Sequence, residues 1–273
     1  RKSKIMSYLS PNLTNLIAAV KKAAASLDRD FGEIEKLQSS VRDYKNFVMN
    51  GYNKAERTLK TELSKIRPTY VFAEDGKPRP QGGYFVISPV SGMTNFIHGI
   101  PYFSMTVAMC ENDAVLAAVV YNPARDEMFF AEKGMGAYKE GYRSHERLRV
   151  SARKELSEAV IASEVSYHGE NFAEYSVMHN KFAAVTNGFR SLGDPALELA
   201  WVAAGKLDAF VSYAGQPSDI TAGMLLVKEA GGYIFDINQK DIRTEDLPAV
   251  ISSGDIMAVN ANLSNRLYDL LNK

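Results

Sequence analysis

The run Ser88-Pro89-Val90-Ser91-Gly92-Met93-Thr94-Asn95-Phe96 is where chemistry in this chain is most concentrated. It ends a β-rich stretch and opens toward a helix, so the backbone N–H groups of Gly92, Met93 and Thr94 stand where a helix start collects an anion such as phosphate or sulfate. Ser88 and Ser91 offer hydroxyls, but no histidine or lysine stands in a recognisable relation to either, which argues against a nucleophilic serine. His98, His145, His168 and His179 are scattered without metal-ligand spacing. Three acidic residues complete the inventory. Glu74 precedes the Gly/Pro-rich segment Gly76 to Gly83, read as mobile, and alone would be a solvated surface acid. Asp194 before Pro195, and Asp219 before the apolar run from Ile220 to Ala230, have the types and places of helix caps.

Positioning such residues takes a substantial core, and the composition supplies one. Of 273 residues 46% are hydrophobic, enough for one large or two ordinary domains. Ser10 and Pro11 read as N-cap and first residue of a helix carrying Leu13, Leu16, Ile17, Val20, Ala24 and Leu27. Ala55, Leu59, Leu63 and Ile66 predict a second helix, stopped by Pro68. Tyr84–Ile87, Tyr102–Met109, Ala114–Tyr121 and Glu127–Ala131 read as antiparallel strands. Beyond about Val150 strands and helices alternate, with strands at Val160–Ser163, Asp208–Ser212, Tyr233–Ile237 and Ile256–Asn260. Helices are predicted at Phe172–Val185, Pro195–Ala204, Ile220–Ala230 and Leu263–Leu271. The pattern implies an α+β unit over 1–150 and an α/β unit over 151–273.

Composition also excludes partners. Lys+Arg and Asp+Glu both total 32, so no broad field favours nucleic acid or anionic lipid, and direct nucleic-acid binding is not expected. The longest apolar runs fall far short of the ~20 residues of a membrane span, and neither an anchor nor a signal peptide is expected. A lone cysteine, Cys110, excludes an intrachain disulfide and fits a reducing, cytoplasmic setting.

Several separated motifs carry a resemblance. Ala73-Glu74-Asp75, the Ser88–Phe96 run continuing to Pro101, Gly134-Met135-Gly136-Ala137, Leu197 to Asp208, and Asp219-Ile220-Thr221-Ala222-Gly223 running to Gly232 occur in the order found in the inositol monophosphatase family, most closely its bacterial SuhB-like branch. The resemblance implies a layered αβαβα sandwich of the sugar-phosphatase type and a homodimer. It also implies an Mg²⁺-dependent phosphomonoesterase, in which clustered carboxylates hold ions that bind phosphate and activate water.

Carried over by position, the metal ligands fall at Glu74, Ser88, the Val90 carbonyl, Ser91 and Asp219, with a further carboxylate expected at Asn53. Only Glu74 and Asp219 are acidic here, where the family run reads Asp-Pro-x-Asp-Gly-Thr. Serine hydroxyls are neutral and Mg²⁺ surrenders its hydration shell reluctantly, so metal binding is expected to be weak or absent. The threonine that helps Glu74 orient water is Met93, the Trp-Asp pair is Ser218-Asp219, and the acid that in animal enzymes reads inositol hydroxyls falls on Ser212. Asp194 stands where the family has Ser or Ala, facing the place of an anionic phosphate. Gly92, Met93 and Thr94 remain as a backbone phosphate site. The implied function is a catalytically impaired member with a SuhB-like binding role, its partner in the transcription machinery. Arg190 keeps one arginine of the family's Arg-Arg pair and Ser191 replaces the other. The alternative is an Mg²⁺-dependent phosphomonoesterase of low or altered activity.

Overall fold

A computed structural model describes residues 9–37, 44–112, 114–141, 144–164, 172–237 and 253–272. The outermost layer pairs α1 (Pro11–Leu37) with α2 (Tyr44–Ile66). Ser10 Oγ accepts from the Leu13 N–H at 3.1 Å, the predicted N-cap. Both helices are longer than the sequence periodicity indicated, because tertiary packing extends them past their clearest apolar repeats. Leu16, Val20, Leu27, Leu59 and Leu63 are fully buried against the first sheet.

That sheet has seven strands in chain order: β1 (Val71–Phe72), β2 (Gly83–Ser91), β3 (Ser104–Glu111), β4 (Ala114–Asn122), β5 (Glu127–Glu132), β6 (Gly136–Lys139) and β7 (Glu146–Arg147). It is an antiparallel meander from β2 onward, with β1 added in parallel. Both faces are buried, so β2, β3 and β4 read as continuous apolar runs and not as alternation. Phe85, Ile87, Met105 and Val107 face α1 and α2, whereas Tyr84, Val86, Ala108 and Cys110 face the opposite way.

Between β2 and β3 runs the short α3 (Met93–Ile97). The second half of the chain builds a five-stranded sheet in the order β11 (Tyr233–Asp236), β12 (Ile256–Val259), β10 (Ala209–Ser212), β8 (Val160–Ser163), β9 (Gly188–Arg190). β8, β9 and β10 are parallel, and β12 pairs antiparallel with β10 and β11. Helices α5 (Pro195–Ala203) and α6 (Pro217–Glu229) lie between the two sheets, touching β2, β4 and β5 on one side and β8, β10 and β12 on the other. Helices α4 (Phe172–Val185) and α7 (Ser264–Asn272) cover the far face through Met178, Phe182 and Leu267. The layers therefore run αβαβα, as the resemblance implied. The strands β1, β6, β7 and β9 carried no separate sequence signal, being two to four residues long. Among the described residues no helix is long and apolar enough to cross a membrane. His168 lies outside the described residues.

Candidate functional site

The polar residues gather in a seam between the first sheet and the helices behind it. A three-residue spacing would ordinarily put Ser88 and Ser91 on opposite faces of a strand. The β2–β3 register shifts between them, and this bulge restores them to one face: Ser88 pairs with Thr106, Ser91 with Ser104. All four are buried, on the side facing α5 and α6, while Val90 turns to the α1–α2 core. Gly92 then takes a left-handed conformation, φ 76°, as N-cap of α3. A Cβ there would stand 3.0 Å from Asp194 Cβ and 3.1 Å from the Gly193 carbonyl, so glycine serves both the turn and the close approach to α5. Helix α3 has only five residues, a shorter cradle for an anion than the sequence suggested.

From the other side come four carboxylates. Asp194 caps α5 as predicted, accepting from the Leu197 N–H at 3.0 Å, and its Oδ1 also accepts from the Ser91 hydroxyl at 3.0 Å. It is completely buried, and burial pushes its carboxyl up to about 7 against the Leu197 hydrogen bond, which favours the ionised form. Glu198, also buried, accepts from the Leu192 and Gly193 N–H groups, and burial drives its carboxyl well above the usual range. Glu164, just past β8, accepts from the Ser212 hydroxyl at 3.0 Å. Burial first, then the charge of Asp219, raises it to about 7. Asp219 is not the cap of α6: Gln216 holds that position and Pro217 follows it, leaving Asp219 in the first turn. Burial raises Asp219, while the Ser88 and Ser91 hydroxyls hold it back.

Other predicted residues stand elsewhere. Glu74 is 63% exposed and paired with Lys77, so its carboxylate is committed to the surface. Its neighbour Asp75, also exposed, reaches to the start of α6 instead, accepting from the Ser218 N–H at 3.1 Å and the Ser218 hydroxyl at 2.5 Å. Asn53 is exposed on α2. Met93 packs against the α1–α2 core. Ser212 is spent on Glu164, and Arg190 is exposed on β9. His145 packs edge-on against Phe130, and Cys110 is buried in the core with its thiol pushed up to about 12 by desolvation.

Sequence reasoning missed four contributors. Asn95 Nδ2 donates to the Tyr102 and Leu192 carbonyls, both at 2.7 Å, tying α3 to the segment before α5. Its place inside the motif was the available signal. Glu198, four residues past a cap, carried a reach-back signal. Asp75, like Asn95, had only its place inside a quoted motif, and Glu164 carried no signal, since an acid at a strand end is ordinary surface. The residues do not fit a pair of Mg²⁺ ions. Hydroxyls occupy two of the positions that the resemblance assigns to ligands, Ser91 is engaged by Asp194, Glu74 is turned to Lys77, and among the described residues no three His, Cys, Asp or Glu side chains are placed to hold a metal ion.

The layered αβαβα fold is the one found in solved inositol monophosphatase and SuhB structures. A sequence profile described as the inositol monophosphatase family matches residues 9–273, and the chain belongs to that family. It is 37% identical over 266 residues to an inositol-1-monophosphatase of Rhizobium meliloti, covering 96% of each chain. To the Nus factor SuhB of Pseudomonas aeruginosa it is 34% identical, with 84% of this chain and 86% of that one covered. The crystal structure of the suhB extragenic suppressor protein from Bartonella henselae superposes with a TM-score of 0.82 at 33% identity, over 97% of this chain and 99% of that one.

Proposed function

We propose that this chain is a catalytically impaired member of the inositol monophosphatase family, retained for a binding or regulatory role like that named for its SuhB relatives. The observation carrying this reading is the engagement of Ser91, at a ligand position of the family motif, by the buried carboxylate of Asp194. Hydroxyls at 88 and 91 remove two of the charges that would hold divalent ions, and the Met93 thioether is a poor holder of a water nucleophile. A homodimer of two-part subunits divided near residue 150, with a partner in the transcription machinery, completes the proposal. The rival, an Mg²⁺-dependent phosphomonoesterase of low or altered activity, draws support from the relatives named inositol-1-monophosphatase and from Asp219, whose Oδ1 has no hydrogen-bond partner.

Calorimetric titration with Mg²⁺ and Mn²⁺, beside an assay of several phosphate monoesters, separates the two. The expected result is no turnover above background and no micromolar metal affinity; robust metal-dependent turnover overturns the proposal. The sharper arm installs Ser88→Asp, Ser91→Asp and Met93→Thr together with Asp194→Ser, because an aspartate at 91 would otherwise abut the Asp194 carboxylate. Turnover confined to the restored protein is expected.

A further inference from the structure

On the outer face of the five-stranded sheet, away from the seam, α4 and α7 frame a cavity of about 300 Å³. Ala173, Val177 and Lys181 follow one another at four-residue intervals, so they form a single ridge of α4 along it. Met178, Leu271 of α7 and Tyr213, which follows β10, complete its described lining. Five of these six side chains are apolar or aromatic, and Val177, 55% exposed, keeps the hollow open to solvent. One charge stands among them, the half-buried ammonium of Lys181. The Leu271 carbonyl accepts from Lys181 Nζ at 3.3 Å, a long contact that engages one of its three donors, and among the described residues no carboxylate lies within ion-pair distance of it. Holding the last turn of α7 accounts for that one bond and not for the cavity. The volume stands at the lower end of those that take small organic ligands, which are commonly apolar in lining with few polar groups to fix orientation. A metal ion finds no anionic ligand in such a lining, and a neutral hydrocarbon leaves the ammonium unused. A hydrocarbon body with one anionic end uses both. We propose that this cavity binds a small aliphatic monocarboxylate, its chain against Val177, Met178 and Leu271 and its carboxylate on the Lys181 ammonium. The site lies across the sheet from α5 and α6, so the inference stands or falls independently of the impaired-phosphatase reading.

The test is calorimetric titration of the full chain with sodium octanoate at about pH 7.5, where carboxylate and ammonium are both charged. Saturable binding of one octanoate per chain, with Kd below about 1 mM, is expected. Sodium acetate lacks the chain and 1-octanol lacks the charge; each should bind at least about tenfold more weakly, a loss of about 1.4 kcal/mol. Lys181→Gln keeps a donor for the Leu271 carbonyl while removing the charge, and should weaken octanoate by a similar factor with little effect on octanol. Val177→Asp, at an exposed position, sets a carboxylate at the rim and should weaken octanoate as well. Circular dichroism checks that each variant folds. Uptake that does not saturate, equal binding of octanol and octanoate, or octanoate binding undiminished in Lys181→Gln overturns the inference.

Discussion

The two walls of the cleft differ in chemistry and in how they treat it. The strand wall offers neutral hydroxyls from Ser88, Ser91, Ser104 and Thr106, held in register by the β2–β3 ladder. The opposite wall offers the carboxylates Glu164, Asp194, Glu198 and Asp219, placed by helix starts and a strand end. The first wall carries hydroxyls where the family resemblance leads one to expect carboxylates; the second holds Asp219, which the resemblance marks, beside three acids that it does not. Counting acidic residues along the motif therefore understates the negative charge of the cleft.

The largest expected effect comes from putting charge back on the wrong wall. Ser91→Asp alone, in the presence of Asp194, forces two buried carboxylates together and should destabilise the protein by more than about 3 kcal/mol near neutral pH, read by urea unfolding. Adding Asp194→Ser should recover most of that loss. If Ser91→Asp is harmless by itself, the walls do not meet as described.

Next in size is the tie that holds the walls together. Asn95→Ala leaves the buried Tyr102 carbonyl and the half-buried Leu192 carbonyl without their donor and should cost about 2–3 kcal/mol. A loss below about 1 kcal/mol would show that α3 is anchored elsewhere.

The charged wall also has a pH signature. Asp194 and Glu164 have folded pKa values raised to about 7, so between about pH 4 and 7 the folded state binds more protons than the unfolded chain, and stability falls as pH rises through that window. Each unit of such a rise is worth about 1.4 kcal/mol. The Asp194→Asn, Glu164→Gln double variant should flatten the slope while the wild type keeps it; equal slopes would place the titration in other groups.

The smallest effect is expected at the residue that looked most catalytic by resemblance. Glu74→Gln breaks only an exposed pair with Lys77 and should change stability by less than about 0.5 kcal/mol. A larger change would mean that Glu74 turns into the cleft.

The long elements were legible because their signals are local. Pro11 and Pro68 bracket the first two helices, and Asp194-Pro195 announces α5 through its own hydrogen bond to Leu197. Asp219 shows the limit of that logic: an acid near a helix start resembles a cap, yet Pro217 behind Gln216 had already begun the turn. Short strands such as β7 and β9 exist only because a neighbour supplies the ladder, so no propensity announced them.

By itself the sequence determined the order of the longer elements, the family, and the residue types Asn53, Ser88 and Ser91, since all of these are properties of residue type and spacing. Only the tertiary structure decided that Ser88 and Ser91 share a face, that Glu74 pairs with Lys77 while Asp75 reaches to Ser218, and that Glu164 meets Ser212 across the seam. A one-residue bulge changes the face that every following side chain presents, and contacts between residues 48 or 103 positions apart leave no mark on local pattern.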